Sequence, residues 1–176
     1  KDSSAGKTGT ITGGNTDGDG GGICLANTKS ACLELYGGTI SGNKATGKGG
    51  GILVHDQGEI YVKGSPVVKD NTDAYGGNIH LSFGKVLNVV GELDKAYLGV
   101  WTETPVTTEK SVPITKDYQT YNWNVVTNEH VYPSSGYVAE LSSGEVALRA
   151  SDKAVEYLHR EWNGIQVVEE LRLCEN

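Results

Sequence analysis

Gly20-Gly21-Gly22-Ile23 recurs as Gly49-Gly50-Gly51-Ile52 and again as Gly76-Gly77-Asn78-Ile79. Leu33-Glu34-Leu35 recurs in step with it, as Ile60-Tyr61-Val62 and Leu87-Asn88-Val89. Ile23 and Ile52 are 29 positions apart, and Ile52 and Ile79 are 27 apart. A step kept this closely means stacked units, none of which can bury its own apolar face alone. The constraint falls on architecture first: a solenoid serves equally as an enzyme, a binding shaft or a spacer.

Within each unit the apolar residues alternate as they do in strands. Ile23 and Leu25 point one way and Cys24 the other; Ile52 and Val54 point inward with Leu53 outward; Ile79 and Leu81 point inward with His80 outward. Leu33 and Leu35, then Ile60 and Val62, then Leu87 and Val89 mark a second strand, and Ile11, Ile40 and Val67 or Val68 a third. Three short strands per unit predict a coil of triangular section in which parallel stacking lays like residue over like. Asn15, Asn43 and Asn71 each follow the third strand, as expected of a corner that uses asparagine to bond neighbouring main chain. The glycine triplets are read as sites of positive φ or close approach between coils. They are not a phosphate loop, because no Lys-Ser/Thr and no helix follow.

The chain has 176 residues, 25 of them glycine, and a net charge of −7, which argues against a nucleic-acid backbone as partner. No apolar run approaches the ~18 residues that span a membrane, so membrane insertion is not expected. The chain begins at Lys1 without a secretion signal, which reads as a processed or excised piece. The three cysteines are too few for a disulfide scaffold. Three thiols is one reading, and a Cys24–Cys32 bridge that leaves Cys174 over is the other.

Thr39-Ile40-Ser41-Gly42-Asn43 followed by Gly49-Gly50-Gly51-Ile52 resembles the repeats of bacterial surface proteins with right-handed parallel β-helices. The polymorphic outer-membrane adhesins carry a similar glycine-isoleucine element, but the aromatic that often opens their asparagine motif is replaced here by Ile40 and Val68. The stretch from Asn78-Ile79-His80-Leu81 to Leu98-Gly99-Val100 is more similar to large repetitive surface proteins of gut-type Gram-positive bacteria. The resemblance covers residues 9 to 150. It implies a secreted or cell-surface location, a host glycoprotein or glycan as partner, and flanking domains of the same polypeptide.

The texture changes after Val100. Residues 1–100 read as β-helix coils. Residues 101–150 read as the last coils and a cap, with a Thr/Pro-rich excursion whose Pro105 and Pro113 break a central strand. Tyr137–Leu141 is expected to pair with Glu145–Arg149 around Ser143-Gly144. Residues 151–176 read as a separate C-terminal hairpin around Asn163-Gly164, or as the start of a further module; a helix over 153–161 is the rival.

Candidate chemistry is sparse. Asp17-Gly18-Asp19-Gly20 resembles part of a calcium loop, but the bidentate glutamate of a complete loop is missing. Asp17 and Asp19 are therefore the only metal candidates, calcium the only cofactor to consider, and solvated loop carboxylates the expectation. Parallel β-helices include polysaccharide lyases and glycoside hydrolases, which stack carboxylates on neighbouring coils. Here Asp56 aligns with Asn27 and Phe83, and His55 with Ala26 and Ser82, so no carboxylate stack results. Trp101, Tyr118, Tyr121, Trp123 and Tyr132 lie among polar residues, where rings can stack against sugars or a protein partner. They are the candidate binding residues; a plug for the solenoid end is the alternative role. The expectation is an all-β parallel β-helix with a β-rich cap, acting as a non-catalytic adhesion or binding module. The alternatives are a polysaccharide-processing enzyme or its ancillary domain, and a structural spacer.

Overall fold

A computed structural model describes residues 8–125 and 129–151. The first coil runs through β1 (Thr10–Ile11), β2 (Asn15–Thr16), β3 (Ile23–Leu25) and β4 (Cys32–Leu35). The second repeats it as β5 (Thr39–Ile40), β6 (Lys44–Ala45), β7 (Ile52–Val54) and β8 (Glu59–Gly64). The third contains β9 (Val67–Val68), β10 (Ile79–Leu81) and β11 (Leu87–Leu93). The fourth contains β12 (Tyr97–Thr102), β13 (Val112–Pro113), β14 (Thr115–Lys116) and the single helical turn α1 (Tyr118–Tyr121). Then β15 (Val131–Pro133) returns to the coil path, and β16 (Tyr137–Ser142) and β17 (Glu145–Ala150) close the described chain. The result is a parallel β-solenoid of about four turns.

The register is that of the sequence repeat. Ile23, Ile52, Ile79 and Val100 stack on one face, with Leu25, Val54, Leu81 and Thr102 beside them. Leu33, Ile60, Leu87 and Thr115 stack on the second face, beside Leu35, Val62 and Val89. Ile11, Ile40, Val68, Leu98 and Val131 form the third. Most of these side chains are fully buried, and each contributes about 1.5–3 kcal/mol relative to exposure. Two ladders end in threonine at the C-terminal side, where hydroxyls serve the cap: Thr115 donates to Glu145 Oε2 (2.7 Å) and accepts from the Val146 N–H (2.8 Å).

Between the third face and the first, the chain leaves the coil path. The excursions are residues 12–22, 41–51 and 69–78. Each opens on a left-handed residue at the same place, Gly13, Gly42 and Asp70. A ladder of amides fills the notch so formed. Asn43 Oδ1 accepts from the Gly14 N–H, while its Nδ2 donates to the Ile11 and Ser41 carbonyls and to Asn71 Oδ1. Asn71 Oδ1 also accepts from the Asn43 N–H, and its Nδ2 donates to the Ile40 and Lys69 carbonyls and to Asn78 Oδ1. The ladder thus satisfies main-chain groups that the bulge has taken off the sheet. The expected corner residue Asn15 is not part of it. Asn15 pairs with Lys44 in the small β2–β6 sheet and Gly14 occupies the ladder level, because the match fell one residue late.

The fourth coil has no excursion between these two faces. Only Gly99 separates Leu98 from Val100, and β12 pairs with β9 at its start and β10 at its end. A Cβ at position 99 would lie 2.4 Å from Asn78 Nδ2, so glycine is required where the ladder stops.

The two ends of the solenoid differ. Beyond the fourth coil, β13, β17 and β16 form an antiparallel sheet whose Val146 and Leu148 cover the core. Its hairpin turns at Ser143 and Gly144, both with positive φ as in a type I′ turn. Pro113 sits in edge strand β13, where its missing N–H is tolerated. At the other end Ile11, Ile23, Leu33 and Leu35 line an open groove of about 350 Å3. Cys24 and Cys32 are exposed free thiols, so the candidate bridge between them is not made. Cys174 and the candidate hairpin over 155–174 lie outside the described residues.

Asn71→Ala should cost about 2–4 kcal/mol in chemical denaturation, since it strands several buried main-chain partners. Asn15→Ala should stay within about 0.5 kcal/mol of the unaltered chain.

Candidate functional site

The sequence-selected aromatics do not form one patch. Tyr118 is fully buried in the core, so it cannot stack on a ligand. Its hydroxyl is hydrogen-bonded to His130 Nδ1 at 2.9 Å. Burial pushes the Tyr118 phenol up and the His130 imidazole down, which keeps both groups neutral at neutral pH. The segment 118–122 is an end plug: Asn122 donates to the Tyr118 carbonyl and accepts from the Leu93 N–H, tying the plug to β11.

Around this plug the other aromatics are exposed. Trp123 is 81% exposed and Tyr121 42%. Tyr132 stacks on Tyr97 with ring centroids 4.0 Å apart and planes inclined by 10°, and each ring keeps more than a third of its surface in solvent. A polar groove of about 330 Å3 is lined by Glu92, Asp94, Lys95, Asn122, Asn124 and Glu129, among others, and none of these aromatics is in its lining. The corner of the third coil forms one wall, where Lys95 takes a left-handed backbone. The stretch after α1 forms the other. Trp123 stands between two lining residues, and the Tyr132 hydroxyl donates to the carbonyl of Glu129.

Planar amides and carboxylates in a concave surface are groups that orient a polyhydroxylated ligand. Tyr121, Trp123 and Tyr132 each lie within two positions of a lining residue, as does Tyr97, which sequence reasoning missed. Periodicity could not have found Tyr97. It lies 35 positions before Tyr132, a longer step than that of the repeat, because the 103–116 excursion intervenes.

Trp101 belongs to a different cluster. It lies on the outer face of β12 beside His80 (ring centroids 4.5 Å) and Tyr75 (5.2 Å). His80 points outward by register, as expected, yet is only 1% exposed; Leu53, the level below, is also buried. His80 Nε2 lies 3.1 Å from Glu103 Oε1, and Lys48 pairs with the same carboxylate. Tyr75 comes from the third excursion, held in shape by Asp73. One Asp73 oxygen accepts from the N–H groups of Tyr75, Gly76 and Gly77, and the other from Gly49 and Gly50 of the coil below. Burial works against the Asp73 charge, but these N–H donors outweigh it and hold the carboxyl below its ordinary range.

Asp19 Oδ1 accepts from the Lys48 N–H at 2.7 Å, tying the first excursion to the second. Among the described residues no three His, Cys, Asp or Glu side chains are grouped to hold a metal ion.

Tyr118→Phe removes the buried Tyr118–His130 hydrogen bond and should cost about 1–2 kcal/mol in denaturant titration. Asp73→Asn should cost about 1.5–3 kcal/mol at pH 7. The folded carboxyl lies below its unfolded value of about 3.9, so its contribution is present above that pH. The gap between the two proteins should therefore close as the pH falls below about 4.

Compared with protein-family models, with curated proteins and with solved structures, the chain has no match.

Proposed function

We propose that this solenoid is a non-catalytic binding module of a bacterial surface protein, and that it takes a host glycan or the glycan of a host glycoprotein. The observation that carries this reading is the polar groove at the coil corner, with Trp123 and the stacked Tyr97–Tyr132 pair beside it. An exposed tryptophan on a short turn has little to gain in the fold, whereas a sugar ring stacked on it removes apolar surface from water. The solenoid acts as a stiff support that fixes both groove walls on consecutive coils. The non-catalytic reading is supported by His80, which sits beside a carboxylate but is closed to solvent.

The test is a binding screen of the purified chain on arrays of glycans and mucosal glycoproteins, with and without EDTA. Saturable micromolar binding is expected. Trp123→Ala and Tyr132→Ala should each weaken it by roughly three- to tenfold, the equivalent of a stacking contribution of about 0.5–1.5 kcal/mol. Loss of binding in EDTA would assign a calcium role to Asp17 and Asp19. No saturable binding at high micromolar concentration would favour the spacer, and binding indifferent to both substitutions would place the site elsewhere.

A further inference from the structure

The turn from Asp73 to Gly77 folds back over the outer surface of β10 and β12 and sets Tyr75 above His80. The Tyr75 ring meets the imidazole edge-on, with centroids 5.4 Å apart, and it is the solvent-facing member of the cluster at 49% exposed. The Glu103 carboxylate at Nε2 fixes the neutral ring with its proton on that nitrogen. Nδ1 is buried and has no hydrogen-bond partner.

Charged groups reach the ring from three directions: Glu103 from just beyond β12, Lys48 from the second excursion, and Asp73 from the turn above. From β7 the neighbour is the apolar Leu53. Burial is the largest influence on the ring and disfavours its charge, and Lys48 adds to it. Glu103 and Asp73 pull the other way and are outweighed, so the imidazole lies below its ordinary value and is neutral at pH 7.

We propose that His80 is an acid-triggered release for the Tyr75 turn: a second N–H on its ring, at Nδ1, has no acceptor beneath Tyr75 and Trp101, so the turn lifts and uncovers the outer face of β10 and β12. An unsatisfied buried donor, charge-bearing in this case, is among the costliest groups a fold can hold, and the half-exposed Tyr75 is the cover over it that already faces solvent. The direction follows from linkage. The open form binds the proton more readily than the closed one, so opening becomes more favourable below the ordinary histidine value of about 6.5, by at most tenfold per pH unit. Asp73 stays ionised through this range, because its five N–H donors hold its proton affinity down. The turn therefore moves as a formed unit and melts only in stronger acid. The inference is independent of the corner groove.

The experiment is amide hydrogen exchange of the whole chain at Gly49 and Gly50, whose bonds to Asp73 Oδ2 the lifted turn breaks, corrected for intrinsic rates, between pH 7.5 and 5.0. The unaltered chain should lose about tenfold in protection at these amides while those of β8 and β11 hold steady. His80→Phe, which keeps a ring but removes both nitrogens, should show no such change. Equal opening in His80→Phe, or protection in the unaltered chain that persists to pH 5.0, overturns the proposal. If His80→Phe does not fold, the imidazole nitrogen shifts of the unaltered chain decide: a His80 titration that coincides with the loss of protection supports the release, and one that passes without it overturns it.

Discussion

Each of the first three coils of this protein must leave the sheet between its third and first faces and return in register. The groups that make this tolerable are the amides of Asn43, Asn71 and Asn78. A bulge of ten or eleven residues inside a parallel stack would expose main-chain donors and acceptors at a buried level, and each stranded group costs about 1–3 kcal/mol. The asparagines answer this from within: Asn43 and Asn71 each bond carbonyls of their own corner and of the coil before it and donate to the next amide, and Asn78 Oδ1 accepts the last of these bonds. The ladder therefore ties the pitch of the solenoid to a polar register as well as to the aliphatic stacks. It ends where the bulge ends, at Gly99, whose missing side chain makes room for Asn78.

Much of this was legible from residue order. The spacing of Ile23, Ile52 and Ile79, and of Leu33, Ile60 and Leu87, located two faces and their inward positions residue by residue, because parallel stacking forces like over like. The Tyr137–Arg149 hairpin was legible from Ser143-Gly144, since few pairs accept two successive positive φ angles. Asn15 misled by one position: an asparagine near a corner looks the same whether it bonds across coils or pairs in a strand. Outward position was also a poor guide to exposure. Alternation predicted the direction of Leu53 and His80, but what lies over them depends on how an excursion folds back, which no local pattern records.

The candidate site was the least legible part for the same reason. Tyr132 and Trp123 stood out as aromatics in polar surroundings, but so did Tyr118, which the fold uses as a core plug with its hydroxyl spent on His130. The lining residues Glu92, Asp94 and Lys95 had no signal of their own, being ordinary charges at a coil corner. They acquire meaning only when the longer fourth coil brings Asn122, Asn124 and Glu129 to the same groove. Aromatic composition thus marked the region, while the insertion that gives it shape removed it from the periodic frame.

The unequal ends of the solenoid give the molecule a direction. In a stack where each coil touches only its neighbours, stability is a sum of nearest-neighbour terms, and the boundary coils set where disorder enters. One boundary is sealed by an antiparallel sheet whose Val146 and Leu148 lie over the core, and the other leaves Ile11 41% exposed. Among the described residues, peeling a coil from the capped boundary must therefore first part the antiparallel sheet, whereas the first coil is gripped by the ladders it shares with the second.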